Sequence, residues 1–131
     1  MERVNLLLGG QPQATIKRGD THTILDFNLV GKNNKPLSLT PSLINGVTFT
    51  IQDDKREGVA VAVEGKVTSV NGEVTLALTD EFYTATSKFT SFLVEVAIRY
   101  NQGEGVPETR GIYPTSGYFS LEIMDTLTAG A

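Results

Sequence analysis

Along this chain, apolar side chains recur at every second position. In residues 92–100, Phe92, Val94, Val96, Ile98 and Tyr100 share one face of an extended segment, while Leu93, Glu95, Ala97 and Arg99 share the other. One face is therefore core and the other mostly wet. Residues 47–51, 74–78 and 119–123 alternate in the same way, and in residues 21–30 Leu25, Phe27 and Leu29 oppose Asp26 and Asn28. Val59, Val61 and Val63 alternate with Ala60 and Ala62, which predicts a short strand that can be covered on both sides. A slip of one residue would turn each such set to solvent. The pattern thus names a core of Leu25, Phe27, Phe49, Ile51, Val74, Leu76, Val94, Val96, Ile98, Phe119 and Leu121.

The breaks between these runs are turn-forming. Gly31-Lys32-Asn33-Asn34-Lys35-Pro36 ends the strand begun at Thr21, and Asn71-Gly72 separates residues 66–70 from 73–78, a hairpin signal in which both turn residues are expected at positive φ. Helix is expected only as a turn or so at residues 40–45 and 79–84, where Thr and Asp offer caps. About seven or eight short strands with almost no helix predict a single-domain, all-β, immunoglobulin-like antiparallel β-sandwich over residues 14–123. Residues 1–13 read as a leading strand and hinge, since Val4, Leu6 and Leu8 alternate and Gly9-Gly10 and Pro12 follow. Residues 124–131 lose the alternation and are expected to start a linker to a further C-terminal region.

Composition narrows the chemistry. With 131 residues the chain can bury one sufficient core without staples. It has no Cys, which excludes disulfides, zinc-thiolate sites and thiol nucleophiles. Fifteen acidic against 11 basic residues give a net charge of −4, the wrong sign for a nucleic-acid or anionic-membrane partner. No run approaches the roughly 18–20 apolar residues of a membrane span, and Leu6-Leu7-Leu8 is too short for a secretory core of about 7–15 residues. Synthesis in the cytoplasm is the expectation.

Few residues suggest a reaction. His22, near Asp20 and Asp26, is expected on the solvent face of its strand. Asp53-Asp54-Lys55-Arg56-Glu57-Gly58 is acid-rich, but it lacks the alternating ligands and distal Glu of a calcium loop and reads as a solvated turn. Gly103-Glu104-Gly105-Val106-Pro107 opens no helix, so it cannot seat a phosphate as a dinucleotide fingerprint does. Asp80 and Glu81 are better placed to cap a turn than to act as paired catalytic carboxylates. Tyr83, Tyr100, Tyr113 and Tyr118 could form an aromatic carbohydrate platform, but there is no Trp and Tyr100 falls on the core face, which speaks against it. Neither catalytic residues nor a cofactor nor a metal is expected, and the chain is not read as an enzyme.

The order of segments is more specific than any one of them. Gly31-Lys32-Asn33-Asn34-Lys35-Pro36-Leu37-Ser38-Leu39-Thr40 precedes Asn45-Gly46-Val47-Thr48-Phe49-Thr50-Ile51. Lys88-Phe89-Thr90-Ser91-Phe92-Leu93-Val94-Glu95-Val96-Ala97-Ile98-Arg99-Tyr100 comes next, then Gln102-Gly103-Glu104, and Tyr113-Pro114-Thr115-Ser116-Gly117-Tyr118-Phe119-Ser120-Leu121-Glu122-Ile123 closes the series. Over residues 14–123 this succession resembles the N-terminal domain of phage baseplate upper proteins. That family carries a G-K-P-L-D-L-T stretch, a G-A-T-V-T-F strand, a T-Y-x-x-E-F-x-V-x-Y strand and a closing F-P-x-x-G-Y-F-x-I-x-V. Residues 1–10 precede the family's usual start, and its helical, trimer-forming region has no counterpart here.

The resemblance implies an immunoglobulin-like structural domain in the virion, at the tail tip of a phage infecting Gram-positive bacteria. There it would attach peripheral receptor-binding parts to the central hub and so support host attachment. It implies as partners the hub or distal tail protein, further copies of the chain and, through the region beyond residue 131, a receptor-binding protein. A carbohydrate-binding β-sandwich module of a phage or bacterial surface protein is the alternative. For the docking contact, Arg3, Val4, Leu6 and Leu8 of the leading strand and Gln102, Glu104 and Val106 of the Gly-rich loop are the candidates. The leading strand could equally pair as an edge of its own domain.

Overall fold

A computed structural model describes residues 2–7, 13–31, 33, 35–115 and 117–127, with 2, 4–7 and 13 described by backbone alone. Among the described residues nine strands form: β1 (Glu2–Leu7), β2 (Gln13–Lys17), β3 (Thr23–Asn28), β4 (Ile44–Asp53), β5 (Val61–Ser69), β6 (Glu73–Ala77), β7 (Ser91–Tyr100), β8 (Thr109–Tyr113) and β9 (Phe119–Met124). Eight of them run in one curled path, β1-β3-β6-β5-β4-β7-β9-β2, and β8 pairs beside it on β7. One layer holds β1, β3 and β6 and the other β4, β7, β8, β9 and β2, with β5 shared between them. With β3, β6 and β5 on one side and β4, β7 and β9 on the other, the strand order follows that of the immunoglobulin sandwich.

The expected architecture is present, with one correction to its hand-to-hand pairing. Six pairings are antiparallel, but β1 lies parallel to β3 and β2 parallel to β9. The sheet is mixed because both leading strands run alongside strands they reach by a connection, not a hairpin. The two short helical expectations hold. Pro41–Leu43 makes a 3₁₀ turn, and α1 (Asp80–Ala85) starts at Thr79, whose Oγ1 accepts from the Phe82 N–H at 3.2 Å.

All eleven core residues named by the alternation are buried. At their centre the Phe27 ring of one layer meets Phe49 and Phe119 of the other, with centroids 4.9 and 5.1 Å apart and the rings tilted or edge-on. Val59 departs from expectation: it lies before β5 and is 90% exposed, so no strand starts there. Nor is β5 covered on both sides, since its residues alternate between half-buried and exposed. The two segments expected on either side of Gly65 are instead one strand. Gly65 faces Val47 on β4, and Lys66 faces Thr75 on β6, so β5 changes layers within one residue. A side chain at Gly65 would overlap the Phe49 ring and press on the Thr75 carbonyl at 2.9 Å.

The Asn71-Gly72 hairpin joins β5 to β6 as expected, though by a three-residue loop, Val70, Asn71 and Gly72, in which Gly72 alone has positive φ, at +93°. Gly72 also accepts the Leu29 N–H at 2.7 Å and would press a Cβ against the Leu29 carbonyl at 2.6 Å.

Two substitutions measure these constraints. Phe27→Ala should lower unfolding free energy by about 3–5 kcal/mol through lost burial and a residual cavity. Gly65→Val should destabilise by about 1–3 kcal/mol or more, as overpacking against backbone does. Urea denaturation followed by fluorescence and circular dichroism checks both.

Candidate functional site

Strand register places three connections at one end of the sandwich: residues 29–43 between β3 and β4, 70–72 between β5 and β6, and 101–108 between β7 and β8. Backbone hydrogen bonds tie them together. Leu39 N–H donates to the Val70 carbonyl at 2.8 Å, and Asn101 N–H donates to the Leu43 carbonyl at 2.9 Å. The Asn45 Nδ2 amide adds a 2.8 Å bond to the Glu108 carboxylate. The loop 101–108 is shaped from within: Asn101 Oδ1 accepts the Gly103 N–H at 3.0 Å, and Gly103 and Gly105 take positive φ.

Of the loop candidates, Gln102, Glu104 and Val106 are all exposed, and Gln102 Nε2 donates to Thr109 Oγ1 at 2.7 Å. Sequence reasoning missed two neighbours at the same end. Leu43 is 56% and Val70 52% exposed, close to the 53% of Val106. Half-exposed apolar side chains on a tied framework make this end a candidate interaction surface. Beside them, a groove of about 650 Å³ separates Ile112 and Arg110 of β8 from Gly31 and Asn33. Among the described residues no strand pairs with the second edge of β8.

The leading strand sits elsewhere. Val4 and Leu6 lie in register with Leu25 and Phe27, so β1 pairs as an edge of its own domain, and Leu8 falls outside the described residues. Arg3 is engaged within the domain. Its Nε and Nη2 donate to the two Asp26 carboxylate oxygens at 2.7 and 2.8 Å, a bidentate fork, and Thr75 Oγ1 donates to the same carboxylate at 2.6 Å. The hydrogen bond and charge of Asp26 hold the Arg3 pKa above its ordinary value. The alternation places Asp26 on a wet face, yet it is buried, because the side chains of Arg3 on the neighbouring β1 and Thr75 on β6 close over its carboxylate.

Elsewhere, His22 is exposed as expected, and its N–H donates to Asp20. The hydroxyl of Thr23 and that N–H lower the Asp20 pKa. The four tyrosines do not assemble. Tyr83 is buried, its hydroxyl donates to the Asp20 carbonyl at 2.6 Å, and burial chiefly pushes its pKa up to about 12. Tyr100 and Tyr113 are half-buried with their hydroxyls 3.2 Å apart, and Tyr118 alone stands out from the surface. The loop after β4 is also more than a solvated turn. Asp53 is buried, and its carboxylate accepts the N–H groups of Glu57 at 2.9 Å and Gly58 at 2.7 Å. Among the described residues no three His, Asp or Glu side chains gather as a metal site. Compared with known proteins, the chain matches no family model and no curated sequence.

The loop aspartate predicts an acid limb. Burial alone would raise the Asp53 pKa, but the backbone N–H bonds outweigh it and hold it below 3.8. Because the unfolded chain binds the proton first, this contribution is complete above the unfolded pKa and is lost as pH falls through the lower folded value. Denaturation midpoints measured from about pH 6 to pH 2 should therefore fall steeply at the acid end, and Asp53→Ala should lower them at neutral pH while flattening that fall.

Proposed function

We propose that this chain is a structural docking domain of a phage tail baseplate, attaching peripheral receptor-binding parts to the central hub through the loop end of its sandwich. The observation that carries the reading is the loop end itself. Three connections fastened by backbone hydrogen bonds carry Leu43, Val70 and Val106 half in water, with Gln102 and Glu104 among them. Such a surface needs little ordering on binding, and ordering is a large part of the cost of association. The order and spacing of segments over residues 14–123 support the tail assignment, and an all-β sandwich is the fold that the resemblance calls for.

In this reading the apolar trio forms the centre of the contact and the polar loop residues its rim. The free edge of β8 offers a second element, since an unpaired strand edge accepts a partner strand through main-chain hydrogen bonds. The protein acts in the virion and performs no reaction of its own. Arg3 and β1 support the domain, and the contact lies elsewhere.

Calorimetric titration of the chain with the hub protein of its own tail tests the assignment. Binding in the micromolar range is expected, with a loss of about tenfold or more on Leu43→Asp combined with Val106→Asp. No heat at high micromolar concentration of either partner would overturn it.

A further inference from the structure

One feature of the surface lies outside the loop end. Thr50 on β4 faces Glu95 on β7, and Gln52 faces Leu93, so these four side chains form a two-by-two floor on the outer side of the layer. Two walls rise from different segments: Arg56 from the β4–β5 loop and Tyr118 from the connection that enters β9. The walls touch. An Arg56 Nη2 donates to the Tyr118 hydroxyl, and the guanidinium carbon lies 5.4 Å from the ring centre. Between floor and walls is a depression of about 220 Å³.

The arginine is held in place. Its N–H donates to the Asp53 carbonyl at 2.9 Å, the buried Asp53 carboxylate fixes the next two residues, and Arg56 takes a φ of +56°, the only non-glycine among the described residues with positive φ. A left-handed arginine on a loop pinned by a buried carboxylate is a costly way to make an ordinary turn. It is a direct way to aim a guanidinium.

We infer that this depression is a binding subsite for one neutral sugar ring. The chemistry of the lining decides the class. Arg56 alone would favour an anion, but the Glu95 carboxylate on the floor has no ion-pair partner among the described residues and would repel one. A neutral polyol satisfies both, since each hydroxyl can donate to Glu95 and accept from Arg56. Gln52 Nε2 is held by the Gly58 carbonyl at 2.9 Å, which leaves its Oε1 as a fixed acceptor beside Thr50. Leu93 and the 40% of Tyr118 that stays exposed offer apolar surface to the C–H groups of a ring. The volume lies below the roughly 300–1,000 Å³ of common ligand pockets and suits a single ring.

The test is an amide NMR titration of the chain with the methyl glycosides of glucose, galactose and N-acetylglucosamine, with glucuronate and inorganic phosphate as charged comparators. Saturable shifts at residues 50, 52, 56, 93, 95 and 118 are expected for at least one neutral glycoside, with a Kd on the order of millimolar. Glu95→Gln and Tyr118→Ala should each weaken it about fivefold or more, while amides away from the depression stay unmoved and so report an intact fold. Tyr118→Phe, which keeps the ring, serves if the alanine variant unfolds, and should weaken binding less than Glu95→Gln does. Saturation by phosphate or glucuronate in place of every neutral glycoside, or shifts for none of them, overturns the inference.

Discussion

At Gly65 the Phe49 ring occupies the space where a side chain would begin, and the sandwich can curl there because glycine has no Cβ to contest it. β5 leaves β4 at this residue and joins β6 at the next, so one strand serves both layers and closes one side of the molecule. The ring that lies on Gly65 also meets Phe27, which in turn meets Phe119 on β9. Layer crossing and core packing are therefore one constraint. Bringing β5 across carries its end toward residues 70–72, and from there the Leu39–Val70 bond draws in the long connection before β4. The loop end inherits its order from a contact in the middle of the core.

Much of this was legible along the chain because it depends on local periodicity. Leu25, Phe27, Phe49, Val94, Val96 and Phe119 announce their faces by alternation, and Thr79 announces a helix start by its hydroxyl. What was not legible depends on partners distant in sequence. Asp26 reads as a surface residue until Arg3, 23 positions away, and Thr75, 49 positions away, close over it. Val59 continues the alternation of Val61 and Val63 perfectly well, yet the loop pinned by Asp53 runs on through it and pairing starts only at Val61. Parallel pairing of β1 and β2 leaves no trace in a pattern of period two, since alternation is the same for either direction.

The same division holds for the surface. Gln102, Glu104 and Val106 were found because a Gly-rich loop between strands marks a sandwich end, whereas Leu43 and Val70 sit next to apolar runs and look like core. The Arg56–Tyr118 depression draws on four separate segments and a left-handed backbone, none of which has a signature in one chain read alone. The four tyrosines, alike in the sequence, are divided by burial into structural and exposed members.

The parallel β2–β9 pair has a mechanical meaning. From Gln13 to Lys17 each residue of β2 faces one of β9, from Ser120 to Met124, with both strands running the same way. A pull that enters at Gln13 and leaves at Met124 draws the two strands past each other along their length. Every hydrogen bond between them is then loaded at once, in shear. An antiparallel hairpin pulled from its open end instead opens one bond at a time, like a zip. A domain tied this way resists tension along its own chain far better than its modest size suggests.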